Sequence, residues 1–403
     1  MRRYAIFRTG MGAALAMVSV AAQAGDWLTW RGPLKNGITN ETGWRWQWSG
    51  GAPRQLWSVQ VGTGYSAVAV RGNRVYTAGN RGNRDFVYCL NADTGKTIWQ
   101  YSYPVPSRDF PGDPYPAGTG ASPVLDGNDL HILSREGVAF CLDANTGKLK
   151  WQRDLRRETR AQVPSWGFTG SALVDGNRIF YNVGSHGVAL DRGSGAVLWK
   201  SGSGKAGYAT PVLYQIGGQR GLAIFAGPGL IGVDPATGRK LWEFPWQTSY
   251  DVNAADPVIA GDTVFISSNY GKGGALLRLQ GNRPSVVWQT RYMRNHFNAS
   301  VLVNGFLYGN DENTLKCMDA RNGNVRWQMR GMGKGGLIAA DGKLLVMTER
   351  GELLVIAADP ARFTEISRAR VLNGTCWTHP VLANGRIYCR NAEGTLVCLD
   401  VRQ

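Results

Sequence analysis

The chain has 403 residues, 45 Lys and Arg against 29 Asp and Glu, and a formal charge of +16. That excess favours anionic partners such as polyanionic glycans, lipid headgroups or acidic proteins, through a field that salt screens. One N-terminal apolar run is too short for a spanning helix and no other stretch approaches the roughly 20 apolar residues it needs, so no membrane-spanning helix is expected, and a length that usually means two or three domains must be weighed against repeats.

In chain order, residues 1–24 have the three parts of a secretory signal: basic "MRRYAIFR", apolar "MGAALAMVSVAA" and the small-residue exit "AQA". Cleavage is expected after Ala24; Arg2, Arg3 and Arg8 leave with it and the charge falls from +16 to +13. A periplasmic or secreted protein follows, and export makes nucleic acid a poor partner. No cysteine follows the cleavage point, so a lipid anchor is not expected. Residues 25–55 form an N-terminal arm, "DWLTWRGPLKNGITNETGW" and its continuation, before a lone strand, "RQLWSVQV", around Trp57.

From there to the end, 56–403, one pattern recurs. The copies are "CLNADTGKTIW" ending at Trp99, "CLDANTGKLKW" at Trp151, "ALDRGSGAVLW" at Trp199, "GVDPATGRKLW" at Trp242 and "CMDARNGNVRW" at Trp327. A degenerate copy ends at Trp288, and weaker echoes lie around Asp359 and in the terminal "CLDVRQ", which makes eight units. The Thr-Gly-Lys of the second copy is no phosphate loop: Leu149 follows Lys148, strands flank it, and sister copies carry Ala196, Arg239 and Asn324 in place of the lysine. Before each copy stand two β-rich segments around a turn such as Asp126-Gly127-Asn128, a strong hairpin signal. Each unit thus offers four antiparallel strands, and tryptophans spaced 39 to 52 residues apart match a propeller blade. The last unit stops after three strands, so the strand at Trp57 is expected to complete it and close the ring without an unpaired edge. The predicted fold class is all-β, an eight-bladed β-propeller.

The motif of a small residue or Cys, then Asp, Gly and Trp at fixed spacing resembles the tryptophan-docking repeat of the pyrroloquinoline-quinone-like (quinoprotein-type) propeller family. The resemblance covers residues 56–403. It implies that Trp99, Trp151, Trp199, Trp242 and Trp327 pack between blades, with Trp57 and Trp288 as less regular partners. Gly95, Gly147, Gly195, Gly238 and Gly323 allow the tight turn. The family includes quinone-dependent dehydrogenases and a non-catalytic scaffold of outer-membrane β-barrel assembly.

Function is sought where the repeats differ, in the loops leading into each innermost strand. These gather Tyr65, Trp166, Tyr208, Tyr250, Asp251, Asn253, Asp256, His296, Asn298, Lys334, Trp377 and His379 around one mouth. Aromatic faces with amides, acids and a lysine suit a planar or carbohydrate-like anionic ligand. The expected function is an exported binding or scaffold propeller, monomeric, holding an anionic small molecule, a glycan or an envelope protein. The alternative is a PQQ- and calcium-dependent alcohol or sugar dehydrogenase, in which Trp166 or Trp377 would be the quinone floor and Asp251, Asn253 and Asp256 would hold the cation. Against it, the chain lacks an adjacent cysteine pair, long insertions and a CxxCH haem motif, so no catalytic residue carries over. A hydrolase is disfavoured by the absence of GxSxG. The four histidines show no ligand spacing, and His131 and His186 read as structural, so no metal centre is expected. Cys89, Cys141, Cys317 and Cys398 share one repeat slot and are expected to be buried small side chains; a Cys389–Cys398 pair across a hairpin is the alternative.

Overall fold

The computed structural model describes residues 25–48, 51–105, 115–216, 218–281 and 283–403; the expected signal segment, 1–24, lies outside them. Seven consecutive four-stranded antiparallel units cover 69–104, 124–154, 173–200, 212–245, 258–290, 301–330 and 337–370, here blades 1 to 7. Blade 8 takes three strands from 381–400 and its outermost strand, Arg54–Gln60, from the start of the ring. Trp57 pairs with Cys398, the register that Trp99 has with Cys89 and Trp327 with Cys317. The chain is an eight-bladed β-propeller closed by its N-terminal strand, as its repeats imply.

Each hairpin alternates side chains between the two faces of its blade, and both faces are apolar because each blade is covered by two neighbours. The motif tryptophan reaches forward. Trp99 Nε1 donates to Ala144 O at 3.1 Å, Trp199 to Pro235 O at 3.0 Å and Trp327 to Asp359 O at 2.7 Å, each in the following blade. Where that blade's turn carries a glycine, as with Gly147 beneath Trp99 and Gly238 beneath Trp199, the ring covers it; the turn of blade 7 has none, and Phe363 meets Trp327 edge-on at 5.5 Å. A Cβ on Gly238, whose φ is +72°, would sit 2.5 Å from Trp199, so the glycine is needed for conformation and for contact. Trp57 and Trp288, read as less regular, dock in the same way, on Ala92 O at 2.8 Å and Ala320 O at 2.9 Å. Trp242 is the one that departs: its Nε1 donates to Tyr214 Oη at 2.8 Å within its own blade. Blade 4 has Gly221 and Gly232 beneath those two rings, and a Cβ at either would overlap them.

All six cysteines are free and buried. Cys389 pairs with Val397 and Cys398 with Tyr388, so the two thiols do not face each other across the hairpin.

The N-terminal arm does not hang outside. Trp27 bridges Val70 of blade 1, Leu28 O accepts from Leu125 N of blade 2 at 2.9 Å, and Lys35 Nζ donates to Val174 O of blade 3 at 2.9 Å. Buried Arg31 donates to Ser300 O at 2.9 Å beside blade 6. Ile38–Thr39 runs parallel to Leu337–Ala340 as a fifth strand of blade 7, and Glu41 accepts from Asn384 N at 2.9 Å in blade 8. The arm therefore crosses the innermost strands around the axis and covers their edges, a role that nothing in its own sequence signals.

Candidate functional site

The lead-in loops and the turns between second and third strands meet on one face and enclose a cavity of about 310 Å³, at the low end for small-molecule sites. Eight of the sequence candidates line it: Tyr65, Trp166, Tyr208, Asp256, His296, Asn298, Lys334 and Trp377. The other four do not. Tyr250 stands outside as an exposed ring, edge-on to Trp166 at 6.2 Å between centroids. Asp251 is paired with Lys205 at 2.7 Å. Asn253 is buried, its Nδ2 donating to Ala226, Gly227 and Trp246 carbonyls while Oδ1 accepts from Ser268 Oγ at 2.8 Å. His379 is buried behind the wall, with its ring nitrogens 3.0 Å from Pro380 O and 2.9 Å from Trp30 O.

The walls are a continuous series of rings. Tyr65 stacks on Trp377 at 5.3 Å and 20°; Phe297 meets Trp377 at 4.4 Å; His296 stacks on Phe297 at 3.9 Å. Tyr270 meets His296 edge-on at 5.2 Å, and Tyr250 meets Tyr270 at 5.7 Å. Trp377 is fixed by its Nε1 donating to Glu349 Oε1 at 2.7 Å. Such faces offer flat apolar area and a quadrupole that attracts cations. The arm supplies the inner end, where Trp30 lines the cavity and donates from Nε1 to Asp256 Oδ2 at 2.9 Å.

Two cations face this apolar space. Lys334 Nζ lies 5.6 Å from the Trp377 ring and 6.0 Å from Phe297, and it forms no ion pair among the described residues. Arg135, from the turn after the second strand of blade 2, is only 4% exposed; its Nη2 is 3.8 Å from Asp85, and its Nε and Nη2 have no hydrogen-bond partner. Two buried guanidinium nitrogens without hydrogen bonds are costly even with Asp85 nearby, and an anion in the cavity would lower that cost. Asn298 donates from Nδ2 to Trp377 O at 2.6 Å, leaving its buried Oδ1 unpartnered.

The titrating groups are set by burial. Burial, then the Lys334 charge, lowers His296 to about 3, so the ring is neutral at physiological pH. Asn269 Oδ1 accepts from Tyr270 N at 2.7 Å, which orients its Nδ2 toward His296 Nδ1 at 2.9 Å and leaves the ring proton on Nε2. Burial raises Asp256 to about 6, opposed by Arg31 and by hydrogen bonds from Thr210 N and Trp30 Nε1.

These contacts decide the fit of a quinone–calcium centre. Asp251 is turned to a lysine, Asn253 has spent both ends of its amide inside the protein, and Asp256 accepts from a main-chain and an indole N–H. Each carboxylate or amide is thus already engaged by a different partner, which does not fit the hard-cation site of the alternative reading. Trp377, a floor candidate in that reading, is packed among Tyr65, Tyr115 and Phe297.

Sequence reasoning missed Trp30, Arg135, Tyr115, Tyr270 and Phe297. Phe297 was within reach, beside His296 in "NHFNAS". Arg135 in "SREG" and Tyr270 in "SNYG" lie in turns after second strands, which share the face with the lead-in loops.

Two curated relatives and one solved structure place this fold. A tetrathionate hydrolase of Acidithiobacillus ferrooxidans is 28% identical over 233 residues, 54% of this chain and 44% of that protein, so the chain spans under half of its length. An outer membrane protein assembly factor BamB of Yersinia pestis is 23% identical over 363 residues, covering 86% of this chain and 78% of that protein. The quinohemoprotein alcohol dehydrogenase of Comamonas testosteroni superposes with a TM-score of 0.68 at 13% identity, over 95% of this chain and 81% of that one, which speaks for the fold alone. The family model described as outer membrane protein assembly factor BamB matches residues 41–119, 84–329 and 311–403. With its closed ring of eight repeats and matches that span nearly all of the described residues, the chain belongs to this family of PQQ-like repeat propellers.

Proposed function

We propose that this protein is an exported binding propeller whose axial cavity takes a planar organic anion. The observation that carries this is the pairing, in one aromatic-walled cavity, of Lys334 with Arg135, whose guanidinium has no hydrogen bond from Nε or Nη2. Ring walls supply stacking area, the cations supply charge, and Asn298 Oδ1 with the Tyr65 and Tyr208 edges supplies orientation. No bond-making machinery is needed for this role. Export rests on the leader at residues 1–24, in keeping with a family described by outer membrane protein assembly.

Pyrroloquinoline quinone, a flat polycarboxylate, is a suitable probe, used with and without calcium. Calorimetry is expected to show binding that calcium does not strengthen, with no dye-linked oxidation of alcohols or sugars. A charged hydrogen bond is worth roughly 1.5–3 kcal/mol, so Lys334→Met should weaken binding by about 10-fold or more. Calcium-dependent binding with turnover would establish the dehydrogenase instead.

A second reading has its own support. Trp166 is 41% and Tyr250 69% exposed at the rim, rings of the kind that anchor protein partners, and the Yersinia pestis relative is named as an assembly factor. A partner segment seated on this rim would cover the same mouth, so probe and partner should compete in a pull-down.

A further inference from the structure

Strand pairing brings together in blade 2 three ligating side chains whose spacing along the chain gives no hint of it. Asp129 and His131 are two residues apart on Asp129–Leu133 and point to one face. Cys141 lies directly opposite His131 on Val138–Asp143. A carboxylate oxygen, a ring nitrogen and Sγ all fall within 4.8 Å of one another. His131 and Cys141 are fully buried, and neither ring nitrogen of His131 has a hydrogen-bond partner.

The repeat shows that the fold does not require these residues. In blades 1, 6 and 8 the position of His131 is held by Tyr76, Tyr308 and Tyr388, each opposite a cysteine, and the position of Asp129 is held by Arg74, Phe306 and Arg386. A tyrosine is thus the ring that the seam packs, and blade 2 has replaced it with an imidazole while placing a carboxylate beside it.

We propose that Asp129, His131 and Cys141 bind one borderline-soft divalent cation of the zinc type at the seam between blades 2 and 3, with water from the half-exposed Asp129 side completing the shell. Mixed nitrogen, sulfur and oxygen donors suit Zn²⁺ or Co²⁺ and not Ca²⁺ or Mg²⁺. Burial lowers His131 to about 4, so its ring is neutral and has a lone pair to give. Burial raises Cys141 to about 12, so the thiol is protonated: the Sγ–H bond breaks, the proton leaves to solvent and an Sγ–metal bond forms. Lys150, bonded to Asp129, has Asp143 Oδ2 3.9 Å away and turns to it when the metal takes the carboxylate. Zinc bond lengths of about 2.0–2.3 Å put tetrahedral ligands roughly 3.3–3.7 Å apart, so side-chain rotation must close the site from its present spread.

Co²⁺ titration of the purified chain at neutral pH tests this. One equivalent should give a thiolate-to-cobalt charge-transfer band, and Zn²⁺ should abolish the band and raise Tm. His131→Tyr and Cys141→Ala restore residues that sister blades use at these positions and so keep the seam packed. The first should weaken Co²⁺ binding at least 10-fold and the second should remove the band. No band at one equivalent, or a band of undiminished affinity in His131→Tyr, would overturn the site.

Discussion

At the scale of single residues, stability is concentrated where one side chain serves two blades. Trp199 hydrogen-bonds to Pro235 O and covers Gly238, both in blade 4, while its own strand belongs to blade 3. Removing it leaves a cavity on both sides of the seam. Trp199→Ala should cost about 3–5 kcal/mol, measured by urea unfolding, and an unchanged midpoint would count against the docking role. Gly238→Ala should also destabilise, because its φ of +72° disfavours a side chain and the new methyl would meet the Trp199 ring at 2.5 Å. Neither change touches the cavity, so probe binding per folded molecule should be preserved.

At the scale of elements, the strand Arg54–Gln60 and the arm before it do different work. The strand pairs along Thr395–Asp400 and closes the ring. The arm fastens to innermost strands and places Trp30 in the cavity. Deleting residues 25–48 should leave a closed, monomeric ring of lower stability that binds the probe more weakly, because the inner end of the cavity is lost. Deleting through residue 60 should expose the edge of Thr395–Asp400 and cause aggregation, seen by size-exclusion chromatography. Equal behaviour of the two truncations would show that the seam strand is dispensable.

At the scale of the whole molecule, the pH response follows from what is buried. His131 and His379 are lowered to about 4 and His296 to about 3, chiefly by burial. A histidine held below its unfolded value of about 6.5 contributes stability above that pH, and loses it as pH falls, since the unfolded chain takes up the proton first. Asp256, raised by burial to about 6, acts in the opposite sense, its contribution being greatest in acid and lost as pH rises through about 6. Glu41 and Asp85, also raised by burial, act with Asp256. His131, His379 and His296 together outweigh Asp256, and the lowered His186 acts in their sense, so the urea midpoint should fall as pH drops from about 6.5 to about 4, less steeply in His379→Asn. A midpoint that rises on acidification would show that the buried acids prevail.

The fold was legible because its determinants are local and repeated. Strand alternation, Asp-Gly turns and a Gly-to-Trp spacing each act over a few residues, and eight copies make the signal unmistakable. Even the closure of the ring could be read, from three strands at one end and one at the other. The cavity was legible only in part. Asn253 and Asp256 stand three residues apart in one loop and look equally available, yet one is absorbed by main-chain carbonyls and the other faces the cavity.

What the sequence by itself determined was therefore the architecture: blade count, strand order and the closure of the ring. What only the tertiary structure decided was membership of the site. Trp30 meets Asp256 across 226 residues, and His131 meets Cys141 through a strand register and not through a motif. A periodic pattern records the forces that act between neighbours in the chain, whereas a cavity at the axis is built by convergence of loops from distant blades, and no local pattern encodes that convergence.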